Sequence, residues 1–223
     1  MRYLRALFLM LGVLACSTSC SADRRPLSNE YSSQIKSQNS LKPLIVLDAG
    51  HGGSDEGARV FSFKEKKIAL LTTLLTKKHL ERLGYRVMLT RSRDVYLSLP
   101  RRVAIANKAK GSLFVSIHFN SSPRREAEGI EIFYYNLEES LRSRASQRLA
   151  SCILYGMLDQ TEANSRGVKK GNFHVIRETE MPAVLVEGGF VTNRDERDLL
   201  KDRAYLDRLA GGIAEGVDRY LRN

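Results

Sequence analysis

Short apolar runs alternate with segments of helical periodicity from Leu44 onward, and this alternation constrains the fold more than any other feature. The strand-like runs are LIVLDAG, YRVMLT, SLFVSIHFN, GIEIFYY, FHVI and AVLVEGG. Four segments with helical patterns lie between or after them. The first, KEKKIALLTTLLTKKHLERLG, ends at Gly84, and the second, SLPRRVAIANKAKG, has Ser98 near its N-cap. The other two cover residues 138–159 and 194–222. Strands that alternate with helices predict a single α/β domain with a mainly parallel twisted sheet and helices on both faces.

Titratable residues follow three of the predicted strands, at the points where those strands end. The run LIVLDAGH ends at His51, LFVSIH ends at His118 and AVLVE ends at Glu187, while Glu65 opens the first long helix. Ligands of such sheets bind outside the carboxyl ends of the strands. Two histidines and one carboxylate, with a fourth position for water, make up a catalytic zinc site. The remaining carboxylate is then free to act as a general base.

Each of these residues also has an ordinary structural explanation. A histidine at a strand end is commonly a hydrogen-bonded loop residue, and Glu65 suits the first turn of a helix because of the helix dipole. Glu187 is harder to explain in this way, because it places a charge at the end of a buried run. The four residues share one predicted edge of the sheet, and this coincidence favours a zinc site.

The two remaining histidines have weaker claims to a site. His79 lies among Lys77, Lys78, Glu81 and Arg82, which is typical of a solvated helix face. His174 lies among apolar neighbours in the predicted strand FHVI, and we interpret it mainly as a structural residue, with contact to a substrate as the alternative.

The N-terminus predicts export. Arg2 and Arg5 precede an apolar run over residues 6–15, which is too short to span a bilayer and has the length of a signal-peptide core. We therefore expect residues 1–15 to be a signal peptide. The residues Val-Leu-Ala before Cys16 suit ordinary signal peptidase and also resemble a lipobox, in which Cys16 becomes the lipidated first residue.

Residues 16–43 are rich in Ser, Asn and Gln and poor in apolar side chains, which predicts a disordered tether before a domain over residues 44–223. Cys152 lies in an apolar helical pattern that is typical of a small buried residue. The net charge of +11 predicts an anionic partner, which can be a nucleic acid, a membrane surface or an acidic polymer. An exported chain meets little nucleic acid, so we expect no nucleic-acid partner.

Six blocks of the sequence, in order, resemble the zinc-dependent N-acetylmuramoyl-L-alanine amidases of the amidase 3 family over about residues 44–221. They are VLDAGHGGSDEGA, EKKIAL, GYRVMLTRSRD, LPRRVAIAN, LFVSIHFNSS and PAVLVEGGFVTN. The resemblance implies one Zn²⁺ per chain, held by His51, Glu65 and His118, with Glu187 as catalytic acid and base. It further implies hydrolysis of the peptidoglycan amide between N-acetylmuramic acid and the L-alanine of the stem peptide.

Five other residues near these blocks have a functional and an ordinary interpretation. Asp48 and Asp55 either orient a ligand histidine or help the glycine-rich loop to turn. Asn120 either contacts substrate or caps a turn. Arg166 and Arg177 either meet carboxylates of the stem peptide or lie on a solvated surface.

The expected partners are peptidoglycan and, through a lipid on Cys16, a membrane. Because Ser17 follows Cys16 in place of the Asp associated with inner-membrane retention, we expect an outer-membrane lipoprotein that faces the periplasm and acts in wall remodelling and division. Some relatives carry an extra helix between the second zinc histidine and the catalytic glutamate, which blocks the site until an activator binds. The predicted elements occupy all of residues 118–187, so we expect no obligatory activator.

Two other functions compete with this interpretation. The segments SQIK, SQN and KKG have the form of the motifs of penicillin-binding serine peptidases, but SQIK lies in the predicted tether. A non-catalytic protein that binds the wall or nucleic acid explains the basic charge but not four site residues at one sheet edge. It also requires no zinc, so metal content separates it from an amidase.

Overall fold

Six strands form one sheet in the computed structural model, which describes residues 42–138 and 140–222. The strands of this sheet are β1 Leu44–Ala49, β4 Arg86–Leu89, β5 Leu113–Asn120, β6 Ile130–Tyr134, β7 Ser165–Lys170 and β8 Ala183–Phe190. Two short strands, β2 Arg59–Val60 and β3 Phe63–Lys64, form a separate hairpin. The predicted signal peptide, Cys16 and nearly all of the predicted tether lie outside the described residues. In the described ranges no helix has both the length and the apolar character needed to cross a membrane.

The sheet is mainly parallel, as predicted. Its strand order is β4-β1-β5-β8-β6-β7, and β4, β1, β5 and β8 run parallel to one another. Strand β6 pairs antiparallel with β8 and parallel with β7, so the last two strands run in the opposite direction. The carboxyl ends of the first four strands therefore share an edge with the amino ends of β6 and β7.

Helices cover both faces of the sheet, which confirms the predicted α/β layers. The helices are α1 Glu65–Arg82, α2 Leu99–Lys108, α3 Leu141–Thr161, α4 His174–Arg177, α5 Arg194–Leu199 and α6 Arg203–Arg222. On one face, Ile45 and Leu47 belong to a large core together with apolar residues of α1, α3 and α6. On the other face, Val46 and Phe114 form a smaller core with residues of α2 and α4. This division follows from the alternation of side chains along each strand.

Helix α1 ends where the sequence predicts, at Gly84. Gly84 has φ +83°, and its N–H donates to the carbonyl of Glu81, while the N–H of Tyr85 donates to the carbonyl of Leu80. These two bonds form a Schellman motif, in which glycine takes the left-handed position at little cost. The chain therefore leaves α1 in the direction of β4.

Helices α3 and α6 pack closely because glycines face each other between them. A Cβ atom on Gly212 would lie 2.6 Å from the carbonyl oxygen of Gly156, and one on Gly216 would lie 2.3 Å from the Cα of Ile153. Larger side chains at these positions would separate the two helices. This contact fixes α3 as part of the scaffold on the face away from α2 and α4.

Two details of the predicted elements are wrong. The segment FHVI is not a strand: residues 174–177 form the one-turn helix α4, in which Val175 and Ile176 are both buried. The sixth strand is instead β7, whose sequence SRGVKK has only one apolar residue and lies at the edge of the sheet, where little burial is required. The β2–β3 hairpin was also missed, because its strands are only two residues long.

Candidate active site

Three of the predicted site residues meet at the carboxyl edge of the sheet. His51 lies just beyond β1, and His118 lies within β5, the strand that pairs with β1. Glu187 of β8 is the register partner of His118. Paired strands lie about 4.8 Å apart, so these two side chains are direct neighbours on one face.

Glu65, the first residue of α1, brings its carboxylate between the two histidines. Its Oε1 lies 3.0 Å from Nε2 of His51 and 2.9 Å from Nδ1 of His118. The same carboxylate accepts hydrogen bonds from the backbone N–H groups of Ala58, at 2.8 Å, and Phe119, at 3.1 Å. Burial alone would raise the pKa of Glu65, but the contacts with His118 and His51 outweigh it and hold the pKa well below its usual range.

The glycines of the loop after β1 allow this close approach. A Cβ on Gly57, which has φ +64°, would lie 2.5 Å from Oε2 of Glu65, and a Cβ on Gly50 would lie 2.4 Å from the ring of His118. His51 itself has φ +57°, a conformation that non-glycine residues rarely adopt and that is often found at functional sites. The loop is therefore shaped around these ionisable side chains.

The donor atoms suit a zinc ion with three protein ligands. One ligand atom from each of His51, Glu65 and His118 lies within 4.8 Å of the other two. The second ring nitrogen of His51, Nδ1, lies 2.9 Å from Oδ2 of Asp55, which fixes the ring as carboxylates commonly do behind metal-bound histidines. Nitrogen and oxygen donors in this number match a catalytic zinc site, which keeps one position for water or substrate.

Glu187 has the environment of a proton acceptor. Its Oε2 is buried, and among the described residues this atom has no hydrogen-bond partner. Burial is the main cause that raises its pKa well above the ordinary value, and the charges of Glu65 and Glu131 add to this effect. An unpaired buried carboxylate costs free energy, which points to a functional role.

The comparisons with known proteins agree with this geometry. The family described as N-acetylmuramoyl-L-alanine amidase, Amidase_3, matches residues 45–219, which include all four residues of the cluster. The chain belongs to this family. Membership supports peptidoglycan amidase activity and implies a site of action that is extracellular or periplasmic.

Individual relatives are similar to this chain over most of its length. The amidase domain is 38% identical to the endolysin of Bacillus phage SPP1, over 81% of this chain and 67% of the phage protein. It is 33% identical to the N-acetylmuramoyl-L-alanine amidase LytC of Bacillus subtilis, over 88% of this chain but only 40% of LytC. The solved catalytic domain of CwlV, an amidase from Bacillus (Paenibacillus) polymyxa, is 39% identical, with a TM-score of 0.75 over 81% of this chain and 98% of that domain.

Buried arginines that the sequence analysis missed hold the His51 loop of the amidase domain. Arg102 of α2 donates to Oδ1 of Asp48 at 2.8 Å, and to the carbonyls of Ala49 and His51, each at 2.6 Å. Arg91 donates to the carbonyl of Ala49 at 2.9 Å and to that of Gly50 at 2.5 Å. These carbonyls lie where the chain leaves β1, and the two guanidinium groups satisfy them.

Of the remaining predicted site residues, Asp48, Asn120 and Arg166 lie close to the His51–Glu65–His118 cluster or to Glu187. Asp48 is fully buried and binds Arg102, Thr90 and Ser116. Asn120 and Arg166 both donate to Glu131, at 2.6 and 2.9 Å, one strand beyond Glu187. The structure thus brings Asn120 and Arg166 to Glu131, the register partner of Glu187.

Three residues lie elsewhere in the amidase domain. Arg177, at the end of α4, binds Glu178 and Asn172 on the surface. His174 begins the same helix and lies 3.4 Å from Arg177. His79 binds Asp207 across the α1–α6 contact.

Proposed function

We propose that this chain is a zinc-dependent N-acetylmuramoyl-L-alanine amidase that cleaves the amide between the lactyl group of N-acetylmuramic acid and the L-alanine of the stem peptide. The observation that carries the proposal is the unpaired, buried oxygen of Glu187 in register with His118, beside a His–Glu–His cluster. Family membership supports the reaction type and the substrate.

In this proposal His51, Glu65 and His118 hold one zinc ion. When bound in such a site, zinc lowers the pKa of water and polarises a carbonyl group. Asp55 keeps the ring of His51 in a fixed orientation through Nδ1, so that Nε2 faces the cluster. Arg102 and Arg91 hold the backbone on which His51 is mounted.

Glu187 moves the proton. Its carboxylate takes one proton from the attacking water, whose oxygen forms a bond to the carbonyl carbon of the scissile amide. The C–N bond then breaks, and Glu187 returns the proton to the leaving nitrogen of L-alanine. Burial strengthens Glu187 as a base, because it raises the pKa of this carboxyl well above that of an exposed glutamate. The products are a free lactyl carboxylate and a free amino group.

Digestion of purified peptidoglycan tests the reaction. We expect the purified, zinc-loaded protein to release peptides that begin with a free L-alanine amino group and to leave glycan chains with free lactyl carboxylates, both identified by mass spectrometry. Removal of zinc with a chelator should stop the release, and added zinc should restore it. Cleavage at another bond, or full activity without metal, would overturn the proposal.

We further propose that the protein is exported and anchored in the outer membrane through a lipid on Cys16, and that it acts from the periplasm in wall remodelling and division. The sequence around Cys16 supports this proposal. Labelled palmitate should enter the protein and should fail to enter Cys16→Ala. Equal labelling of both proteins, or none of either, would contradict lipidation.

No obligatory activator is required in this proposal. The segment between His118 and Glu187 is occupied by β6, α3, β7 and α4, and α3 packs against α6 through Gly156 and Gly212, on the face of the sheet away from Glu187. The purified domain alone should therefore cleave peptidoglycan. A domain that stays inert until another protein is added would contradict this part of the proposal.

A further inference from the structure

A row of polar side chains continues beyond the catalytic cluster across the sheet. His118 of β5 pairs with Glu187 of β8, Glu187 pairs with Glu131 of β6, and Glu131 pairs with Gly167 of β7. Directly paired residues point to the same face of a sheet. Glu131, only 5% exposed, therefore lies on the same face as Glu187, one strand nearer the edge strand β7.

Two cationic side chains of β7 bind the carboxylate of Glu131. Its Oε2 accepts from Nε of Arg166 at 2.9 Å and from Nζ of Lys169 at 2.5 Å. Its Oε1 accepts from Asn120 at 2.6 Å. One carboxylate thus faces two cations. Burial alone would raise the pKa of Glu131, but Lys169 and Arg166 outweigh it and hold that pKa below the ordinary value.

Both cations keep hydrogen-bond donors that are open to solvent. The Arg166 and Lys169 side chains are 36% and 38% exposed. A lysine carries three donors and an arginine five, and Glu131 uses one from each. Gly167 lies between them, and a Cβ placed on it would meet no atom within 4 Å. The space above the strand is therefore open, and it leads out of the domain because β7 is an edge strand.

We propose that Lys169 and Arg166 form a carboxylate-binding subsite that receives the peptide side of the substrate. This inference rests on the proposed amidase function. N-acetylmuramic acid uses its own carboxylate in the scissile amide and is then uncharged, whereas the stem peptide carries free carboxylates. A positively charged subsite on β7, two strands beyond Glu187, therefore selects the peptide, and the stem peptide extends across β6 and β7. The residue after L-alanine is the nearest that can present such a carboxylate.

Two soluble substrates test the subsite. Each is a glycan fragment with an L-alanyl-D-glutamyl stem in which the γ-carboxyl of the glutamate is blocked as an amide, and they differ only in whether the α-carboxylate is free or amidated. Charge-assisted hydrogen bonds predict that the wild-type enzyme favours the free carboxylate by about ten-fold or more in kcat/KM. Lys169→Gln should reduce this preference by about ten-fold, with the main change in KM. Lys170→Gln is the matched control, because Lys170 is the next residue of β7 and is exposed on the opposite side.

The preference is a ratio between two substrates on one enzyme, so differences in zinc content or in the chemical step cancel. Equal kcat/KM for the two substrates in the wild type, or an unchanged preference in Lys169→Gln, would overturn the subsite while leaving the amidase function intact. Failure of the zinc-loaded wild type to release L-alanine amino groups from either substrate would overturn the amidase function itself, and the subsite with it. A loss of preference in Lys170→Gln as large as that in Lys169→Gln would attribute the effect to general charge and would also overturn the subsite.

Discussion

Glu187 and His118 are register partners on the parallel strands β8 and β5, and their side chains lie on the same face of the sheet. His118 is bound through Nδ1 to Glu65, whereas Oε2 of Glu187 has no partner among the described residues. The two glutamates of the site therefore differ in environment: Glu65 is tied to both histidines, and Glu187 is free to exchange a proton. This difference supports the proposed roles, in which Glu65 binds the metal and Glu187 acts in catalysis.

Replacing Glu187 with Gln should abolish turnover and leave metal binding intact. Glutamine keeps the size of the side chain but cannot accept a proton from water. The variant should still hold about one zinc, because His51, Glu65 and His118 remain as three ligands. Turnover should fall by at least about a hundred- to ten-thousand-fold, the range typical of losing a general base. Zinc content by metal analysis and rate of peptidoglycan cleavage, measured on the same sample, check both parts.

Replacing Glu65 with Ala should weaken zinc binding together with activity. The change removes the oxygen that both histidines contact and the acceptor for the N–H groups of Ala58 and Phe119. Zinc titration by calorimetry should give a clearly higher dissociation constant than for the wild type. Glu56→Ala is the control: Glu56 lies in the loop after β1, close to the cluster in sequence, but its side chain binds only Lys64 and Arg59, so zinc affinity should stay unchanged. Retention of zinc by Glu65→Ala, with its loss from Glu187→Gln, would reverse the two assignments.

Much of this site can be derived from the sequence, because its signals are local. The runs that form β1, β5 and β8 are mainly apolar and lead to His51, His118 and Glu187, so parallel pairing alone brings these residues to one edge. Gly84 after a long amphipathic segment is an equally local signal, and it marks the observed end of α1.

The missed features depend on partners far along the chain. Arg102 resembles any surface arginine of a helix, yet it is buried against Ala49, 53 positions away. Glu131 acquires its two cations from β7, a strand whose polar sequence has no apolar alternation. The four residues of FHVI are too few to distinguish a period of two from one of 3.6, and the burial of both Val175 and Ile176 fits a helical turn.

Replacing Asp48 with Asn should destabilise the domain in a pH-dependent way. Asp48 and Arg102 are 0% and 2% exposed and lie 2.8 Å apart, and removing one partner of a buried pair costs about 3–5 kcal/mol. Burial alone would raise the pKa of Asp48, but Arg102 and Thr90 outweigh it and lower the pKa below the ordinary value. The carboxylate therefore contributes stability above the unfolded-state pKa, about 3.9, and loses this contribution as the pH falls through the lower folded-state pKa.

Urea unfolding at several pH values checks this expectation. The difference in free energy of unfolding between wild type and Asp48→Asn should be largest near pH 6 to 7 and should shrink below about pH 4. Asp198→Asn is the control, because Asp198 is exposed and pairs only with Lys201. A difference that stays constant down to pH 3 would mean that the charge of Asp48 contributes nothing to stability.

Alanine substitutions at two neighbouring glycines of α6 should change the free energy of unfolding in opposite directions. Alanine in a helix is intrinsically more favourable than glycine by about 1 kcal/mol. At Gly211 the new Cβ would lie 3.8 Å from its nearest neighbour, in His79, so Gly211→Ala should raise the free energy of unfolding by about 0.5–1 kcal/mol. At Gly212 the Cβ would lie 2.6 Å from the carbonyl oxygen of Gly156 and from the Cα of Met157, both backbone atoms of α3 that cannot move independently.

Gly212→Ala should therefore lower the free energy of unfolding, by about 1–3 kcal/mol, because overpacking outweighs the gain in helix propensity. Both values come from urea unfolding followed by circular dichroism, and the two variants share the same composition, so a difference in sign reports only the local packing. Glu65, the member of the His51–Glu65–His118 cluster that lies on α1, is at the opposite end of this helix from His79, the neighbour of Gly211, so neither variant should change zinc affinity. If both variants were stabilised equally, the close contact between α3 and α6 would not hold the scaffold together, and α3 would be free to move relative to the sheet.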